Sequence, residues 1–341
     1  MGLQFCDGMD AYGALADMTK KWGGATVGGA FNATGGKFGG GALSFSSTVF
    51  TCRSAAAPVA IVSGAWCYVA GWFKSPASPS MTSNGSSSGQ LFMQFNGLGY
   101  IGFSTTTWAI GLYQGGSFLT QGSTPVLDGN WHWVEFGIKF NGGSSLSSCY
   151  VDGIAQWTNY TVNAAAAGAV SNFNVGGPNQ NGAGPDLWDD VICWDDQGTT
   201  FNTFPLGPQR ISTLQPNAAG DSTQFTPSTG ANYACVNAGY GGTNSVSDSS
   251  TGNIDLYQMA DLVYSPATVK AVVGNYYGGN PGTGTANLIP KVKSGGTVAT
   301  GTTRALPIGS NAGYQQFWPL DPSSAAWTVA NVNAIQIGMG D

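Results

Sequence analysis

One histidine and one glutamate bound the acid–base chemistry open to this sequence, and they lie close together as His132 and Glu135. Hydrolysis of a glycosidic bond generally uses two carboxyl groups flanking that bond. Glu135 would need an aspartate as partner, and two glutamates on one strand are absent. Asp189 and Asp190 are adjacent, so in a strand they would point to opposite faces. His132 would need a nucleophile and an orienting acid to act as a catalytic base. Neither is identifiable, so a structural, hydrogen-bonded histidine is expected and no catalytic residue is assigned. Two other clusters have chemical content. Asp186, Asp189, Asp190, Asp195 and Asp196 crowd one stretch. Calcium takes about six to eight oxygens from irregular loops, so it is the cofactor these carboxylates would hold. Solvated turns and strand-end caps are the competing expectation. Trp131, Trp133, Trp188 and Trp194 would form an aromatic platform for a carbohydrate or a protein contact if exposed; core packing is the alternative.

Other motifs match by letters only. Gly97 to Gly102 fits a dinucleotide-binding pattern, but that site needs a helix directly after the glycines, and the residues after Gly102 read as strand and turn. Gly85 to Gly89 fits Gly-x-Ser-x-Gly without a strand-to-helix elbow. The cysteines, Cys6, Cys52, Cys67, Cys149, Cys193 and Cys235, contain no Cys-x-x-Cys unit. With one histidine, a zinc site is not expected; buried thiols acting as small hydrophobes are.

These residues must be positioned by strands. From Asn130 to Phe140, His132, Val134, Phe136, Ile138 and Phe140 alternate with Trp131, Trp133, Glu135 and Lys139. That period of two predicts a β-strand with one buried face. Asp152-Gly153 between apolar runs predicts a hairpin, because a type I′ turn needs positive φ at both central residues. Leu187 to Trp194 reads as another strand. Ala65 to Lys74 is apolar on both faces, which predicts a central strand in a two-layer stack. Residues 1–30 read as irregular apart from a strand near Leu3 to Phe5, and no helix of ordinary length is expected. Residues 195–208 are rich in Gly and Pro and lead into an extended connector that packs on something.

The Trp-rich strand, Tyr150-Val151-Asp152-Gly153 and Trp188-Asp189-Asp190-Val191 together resemble a concanavalin A-like (laminin-G-like) jelly roll. Gly36 to Phe45 resembles an early strand of that superfamily. Phe5-Cys6-Asp7-Gly8-Met9-Asp10-Ala11-Tyr12, followed by Lys21-Trp22, resembles the opening of a group of tailed-phage structural proteins. The resemblance implies an all-β chain: a jelly-roll sandwich over residues 1–210 and a smaller β-rich module over 211–341. In the second module, strands are expected at Ile254 to Met259, Thr268 to Tyr277, Asn287 to Lys293 and Gly313 to Trp318, with Thr328 capping one helical turn before a final strand.

Composition bounds the function. Only 8% of the 341 residues are charged, while 42% are hydrophobic and 53 are Gly. Short strands with glycine-rich turns account for that mix. The low charge implies a surface partly covered by neighbours. A net charge of −6 argues against nucleic-acid binding, which needs a basic patch. Met1 to Asp10 lacks the pattern of a signal peptide, and no apolar run approaches the ~20 residues that span a bilayer. With these bounds, the resemblance to tailed-phage structural proteins implies a non-enzymatic virion protein assembled in a host cytoplasm. It would be a capsid decoration, cement or head-fibre subunit that binds other virion proteins and forms a homo-oligomer. The alternative is a tail or head-fibre adhesin that recognises host-surface carbohydrate.

Overall fold

The computed structural model describes residues 2–22, 29–45, 51–53, 62, 64–77, 93–95, 99–103, 107–114, 117–163, 170, 172–177, 184–266 and 268–341. The chain divides into two compact units, Met1–Ile211 and Ser212–Asp341.

The first unit contains β1 (Leu3–Asp7), α1 (Leu15–Trp22), β2 (Gly29–Asn32), β3 (Ala42–Phe45), β4 (Thr51–Arg53), β5 (Trp66–Lys74), β6 (Met93–Phe95) and β7 (Gly99–Phe103). It continues with β8 (Ala109–Gln114), β9 (Ser117–Pro125), β10 (Trp131–Lys139), β11 (Ser145–Val151), β12 (Ile154–Val162), β13 (Phe173–Gly176) and β14 (Asp186–Asp195). The larger sheet runs β12-β11-β10-β5-β14-β3-β2, with β1 also paired to β14; the smaller runs β4-β13-β6-β7-β8-β9. Aromatic pairs join the two inner faces: Phe73 with Phe103 at 5.6 Å, Phe95 with Phe136 at 6.0 Å, and Phe5 with Phe173 at 5.4 Å. The result is an all-β jelly-roll sandwich. The apolar β5 is central, between β10 and β14.

One rim of the sandwich is closed by side chains. Gln156 on β12 accepts the backbone N–H groups of Ser123 and Thr124 at 2.9 and 3.0 Å. The Tyr160 hydroxyl donates to the Leu119 carbonyl at 3.2 Å. These contacts cover edge groups of β9 that would otherwise template pairing with another chain. The β11–β12 turn is the expected hairpin, with φ of 51° at Asp152 and 80° at Gly153. Gly115 and Gly116, a hairpin-turn candidate by sequence, lie outside the described residues; Gln114 and Ser117 on either side are paired.

Two expectations are corrected. Residues 1–30 contain a helix, α1, which buries Met18 and Trp22 on one face. Asp17 accepts from the N–H groups of Gly13 and Ala14, satisfying donors at the helix start. The i, i+4 spacing of Met18 and Trp22 was its legible sign. Second, β10 is buried on both faces: Trp133 and Glu135 are as enclosed as Val134 and Phe136. Alternation reports what a strand presents, and a covering segment can enclose the polar face as well.

In the second unit a sheet runs Pro216–Thr223, Ile254–Met259, Gln336–Gly340, Asn287–Ser294, Thr297–Thr300. A separate ribbon pairs Val272–Gly279 with Asn311–Trp318. The core gathers Met259, Tyr276, Leu288, Val292, Trp318 and Trp327. Thr328 caps the helix Val329–Asn333, accepting from the Asn331 N–H at 3.1 Å. The strand Pro216–Thr223 and the helix Asn232–Val236 were not read from the sequence.

Candidate functional site

The functional candidates of the first unit lie on the outer face of the larger sheet and at one end of β10. The segment 200–211 crosses that outer face as a strap, and the sheet's side chains hold its backbone. Glu135 accepts the N–H of Leu206 at 2.6 Å and of Gly207 at 3.2 Å. Trp194 donates from Nε1 to the Thr203 carbonyl at 3.0 Å, and Trp72 donates to the Gln209 carbonyl at 2.8 Å. Asp190 accepts the Ile211 N–H at 3.0 Å. Phe204 stacks on Tyr68 at 4.5 Å and meets the edge of Tyr150 at 5.3 Å. A buried carboxylate is tolerable only when donors are aimed at it, and the strap supplies them to Glu135.

The four tryptophans do not form an exposed platform. Trp133, Trp188 and Trp194 are each 0% exposed. Trp133 packs against Trp72 at 5.5 Å, and Trp188 faces the sandwich interior, donating to the Gly176 carbonyl at 2.7 Å. Trp131 alone of the four is half-buried. The expected platform is therefore corrected: three of its members hold the fold.

The strand β14 does not run straight through Asp189 and Asp190. Asp189 pairs with Trp72 and Ile192 with Ala70, so one extra residue sits on β14. That is a β-bulge, and Asp190 takes a φ of 51°. The bulge lies where the neighbour along that edge changes from β3 to β1. The simple opposite-face expectation gives way to two clamps. Asp189 accepts the Lys37 N–H at 2.7 Å and the Asp190 N–H at 2.8 Å; Asp190 holds the strap's end. Burial pushes both carboxyls above the usual range, the Asp189 charge raises Asp190 further, and Asp10 adds to both.

The other aspartates of that stretch are engaged separately. Asp186 is buried beside Gly177. Asp195 accepts from Gln4 Nε2 at 2.9 Å and from the Gln197 N–H at 3.0 Å. Asp196 accepts from Gln197 Nε2 at 2.6 Å. Among the described residues, no three His, Cys, Asp or Glu side chains group so as to hold a metal ion. The expected calcium ligands are corrected to caps and clamps.

His132 sits at the start of β10. Its Nδ1 lies 2.7 Å from Asp152 Oδ2 and its Nε2 3.0 Å from Asp128 Oδ1. Asp152 also accepts the Trp133 N–H at 2.8 Å. The histidine is the hydrogen-bonded residue that the sequence implies. Cys6, Cys67, Cys149, Cys193 and Cys235 are buried, and burial raises the thiols of Cys67, Cys149 and Cys193. Gly99–Phe103 is a strand, so the glycine pattern there opens no phosphate-binding helix; Gly97 and the Gly85-to-Gly89 motif lie outside the described residues.

Sequence reasoning missed the role of Asp7. It accepts from Trp22 Nε1 at 2.6 Å, from the Met9 N–H at 2.8 Å and from the Tyr12 hydroxyl, and Lys21 Nζ lies 3.4 Å away. A Cβ on Gly8 would come within 2.8 Å of the Ile211 carbonyl oxygen. Asp10 accepts the Gly41 N–H at 2.9 Å. The signal was the Asp-Gly-Met-Asp motif itself, with Tyr12 and Lys21-Trp22 following.

No family model matches this sequence, and no curated protein does. Among solved structures, domain 4 of AbnA, an extracellular arabinanase from Geobacillus stearothermophilus in complex with arabinotriose, is similar over 50% of this chain and 76% of its own. Its identity is 16% and its TM-score 0.34. An endo-β-1,4-glucuronan lyase from the fungus Trichoderma reesei is similar over 56% of this chain and 95% of its own, at 12% identity and a TM-score of 0.40. The alginate lyase Aly36B covers 57% and 95%, at 13% identity and a TM-score of 0.36. These likenesses carry no conclusion about activity or ligand.

Proposed function

We propose that this chain is a non-enzymatic structural protein of a tailed bacterial virus: a capsid-surface decoration, cement or head-fibre subunit that binds neighbouring virion proteins and itself. The observation that carries the reading is the engagement of Glu135. The chain's one glutamate is enclosed and holds the strap through Leu206 and Gly207, a fastening role. The opening motif around Asp7, which resembles that of phage structural proteins, likewise fastens α1 to the sheet. The low charge of the chain, 8% of residues, suits a surface shared with other subunits. Exposed Phe118 and Ile154, on β9 and β12 at the closed rim, offer apolar area for such contacts. The adhesin alternative loses support with the burial of Trp133, Trp188 and Trp194.

The test is immunogold electron microscopy of source particles with an antibody to this chain. Gold distributed over the head supports the decoration reading. Gold confined to the tail tip would replace it with a receptor-binding role, and particles without gold, intact or disrupted, would overturn it.

A further inference from the structure

We infer that His132 stands as a doubly donating imidazolium between Asp128 and Asp152, forming a proton-dependent clamp that ties the β11–β12 hairpin tip and the loop before β10 to the start of β10. Donors and acceptors decide the protonation state. The two ring nitrogens lie 2.7 and 3.0 Å from carboxylate oxygens of Asp152 and Asp128. A neutral imidazole has one N–H and one lone pair, and an ionised carboxylate only accepts. With one ring proton lost, one of these contacts would set a lone pair against a carboxylate oxygen. Protonating an aspartate instead is disfavoured, because each carboxylate is held ionised by further donors. Asp152 accepts the Trp133 N–H at 2.8 Å. Asp128 accepts the N–H and Nδ2 of Asn130 at 2.9 and 3.0 Å.

The charged groups facing the ring come from two elements. Asp128 belongs to the loop before β10 and Asp152 to the hairpin turn. Lys37, from the segment before β3, acts on Asp152. Lys74 of the neighbouring β5 pairs with Trp131 and so points to the other face. Burial favours the neutral ring, but the two carboxylates outweigh it and raise the histidine above its ordinary value, while both aspartates are held below theirs. A raised folded value sets the sign. The clamp is complete below the ordinary histidine value of about 6.5 and is lost as pH rises through the higher folded value.

His132 is the single histidine, so its ring resonances need no assignment by mutation. Titration by long-range ¹H–¹⁵N correlation should show both ring nitrogens protonated at pH 6 and a midpoint above about 6.5. Asp128→Asn and Asp152→Asn should each lower that midpoint; Asp152 also accepts the Trp133 N–H of β10, so the Asp128 variant keeps the test open if Asp152→Asn misfolds. Amide exchange of Asp152 and Trp133, corrected for the intrinsic pH dependence, should quicken as the ring deprotonates. A single neutral tautomer at pH 6 would overturn the imidazolium. Protection that stays constant through the titration would overturn the clamp.

Discussion

The carboxylate of Glu135, at the centre of β10, receives the backbone N–H of Leu206 at 2.6 Å across a separation of 71 residues. One side chain thus helps turn the open face of a strand into an interior, because the strap it holds also accepts from Trp194 and carries Phe204 onto Tyr68. Glu135→Ala should cost about 2–4 kcal/mol, since it strands two N–H groups beneath the strap. Glu135→Gln keeps one acceptor oxygen and should cost roughly half as much. Urea denaturation gives the magnitude. Hydrogen exchange should accelerate at Leu206 and Gly207 and stay slow at Phe136; uniform acceleration would mean that Glu135 does not act through the strap.

Most of the framework was legible because it depends on local patterns. The alternation of His132 to Phe140 gave β10, and Asp152-Gly153 gave the hairpin. The outer face was not legible, because residues 200–211 lie far along the chain from Trp133 and no periodicity records what covers a strand. The bulge at Asp189 and Asp190 was hidden for a related reason. It depends on β14 changing partner from β3 to β1, which is a property of the sheet rather than of the strand. For Trp133, Trp188 and Trp194 the sequence left platform and core packing both open, and for the aspartates calcium and caps, for the same reason: residue type shows what a side chain can do, and its surroundings in the fold decide what it does.

Asp7 fastens more groups than its position near the terminus implies. Its carboxylate accepts from Tyr12, Trp22 and the Met9 N–H, so Asp7→Ala should cost about 3 kcal/mol or more by leaving several buried donors without an acceptor. Asp7→Asn keeps the volume but replaces one acceptor oxygen with a donor, and should cost nearly as much. Gly8→Ala tests the neighbouring constraint, since its Cβ would press on the Ile211 carbonyl; a loss of about 1–3 kcal/mol is expected from that overpacking. Thermal unfolding followed by tryptophan fluorescence reads all three, because Trp22 leaves its enclosure when α1 detaches.

The buried pair Asp189 and Asp190 makes stability depend on pH in a defined direction. Both folded values are raised, first by burial and then by neighbouring carboxylates, Asp189 acting on Asp190 and Asp10 on both. Their contribution is therefore fully present below the ordinary carboxylate value of about 3.9 and is lost as pH rises through the folded values. Asp190→Asn removes one charge of the pair, so the variant should gain stability relative to wild type between about pH 4 and 7, by on the order of 1 kcal/mol. The His132 contribution is common to both proteins and cancels in the difference. A difference that is flat across that range would show that the pair does not retain a proton in the folded chain.

Metal removal addresses the five aspartates directly. Asp195 and Asp196 turn to Gln4 and Gln197, while Asp189 and Asp190 turn to backbone N–H groups, and among the described residues no three carboxylates group so as to share a cation. Chelation with EDTA should leave the melting temperature unchanged, and so should millimolar calcium. The test is sensitive: a site filled at a hundredfold excess over its Kd would add about 2.7 kcal/mol, which is several degrees for a unit of this size. A calcium-dependent rise of that order would require these carboxylates to leave their present partners, and hydrogen exchange at Lys37 and Ile211, whose N–H groups they hold, would report it.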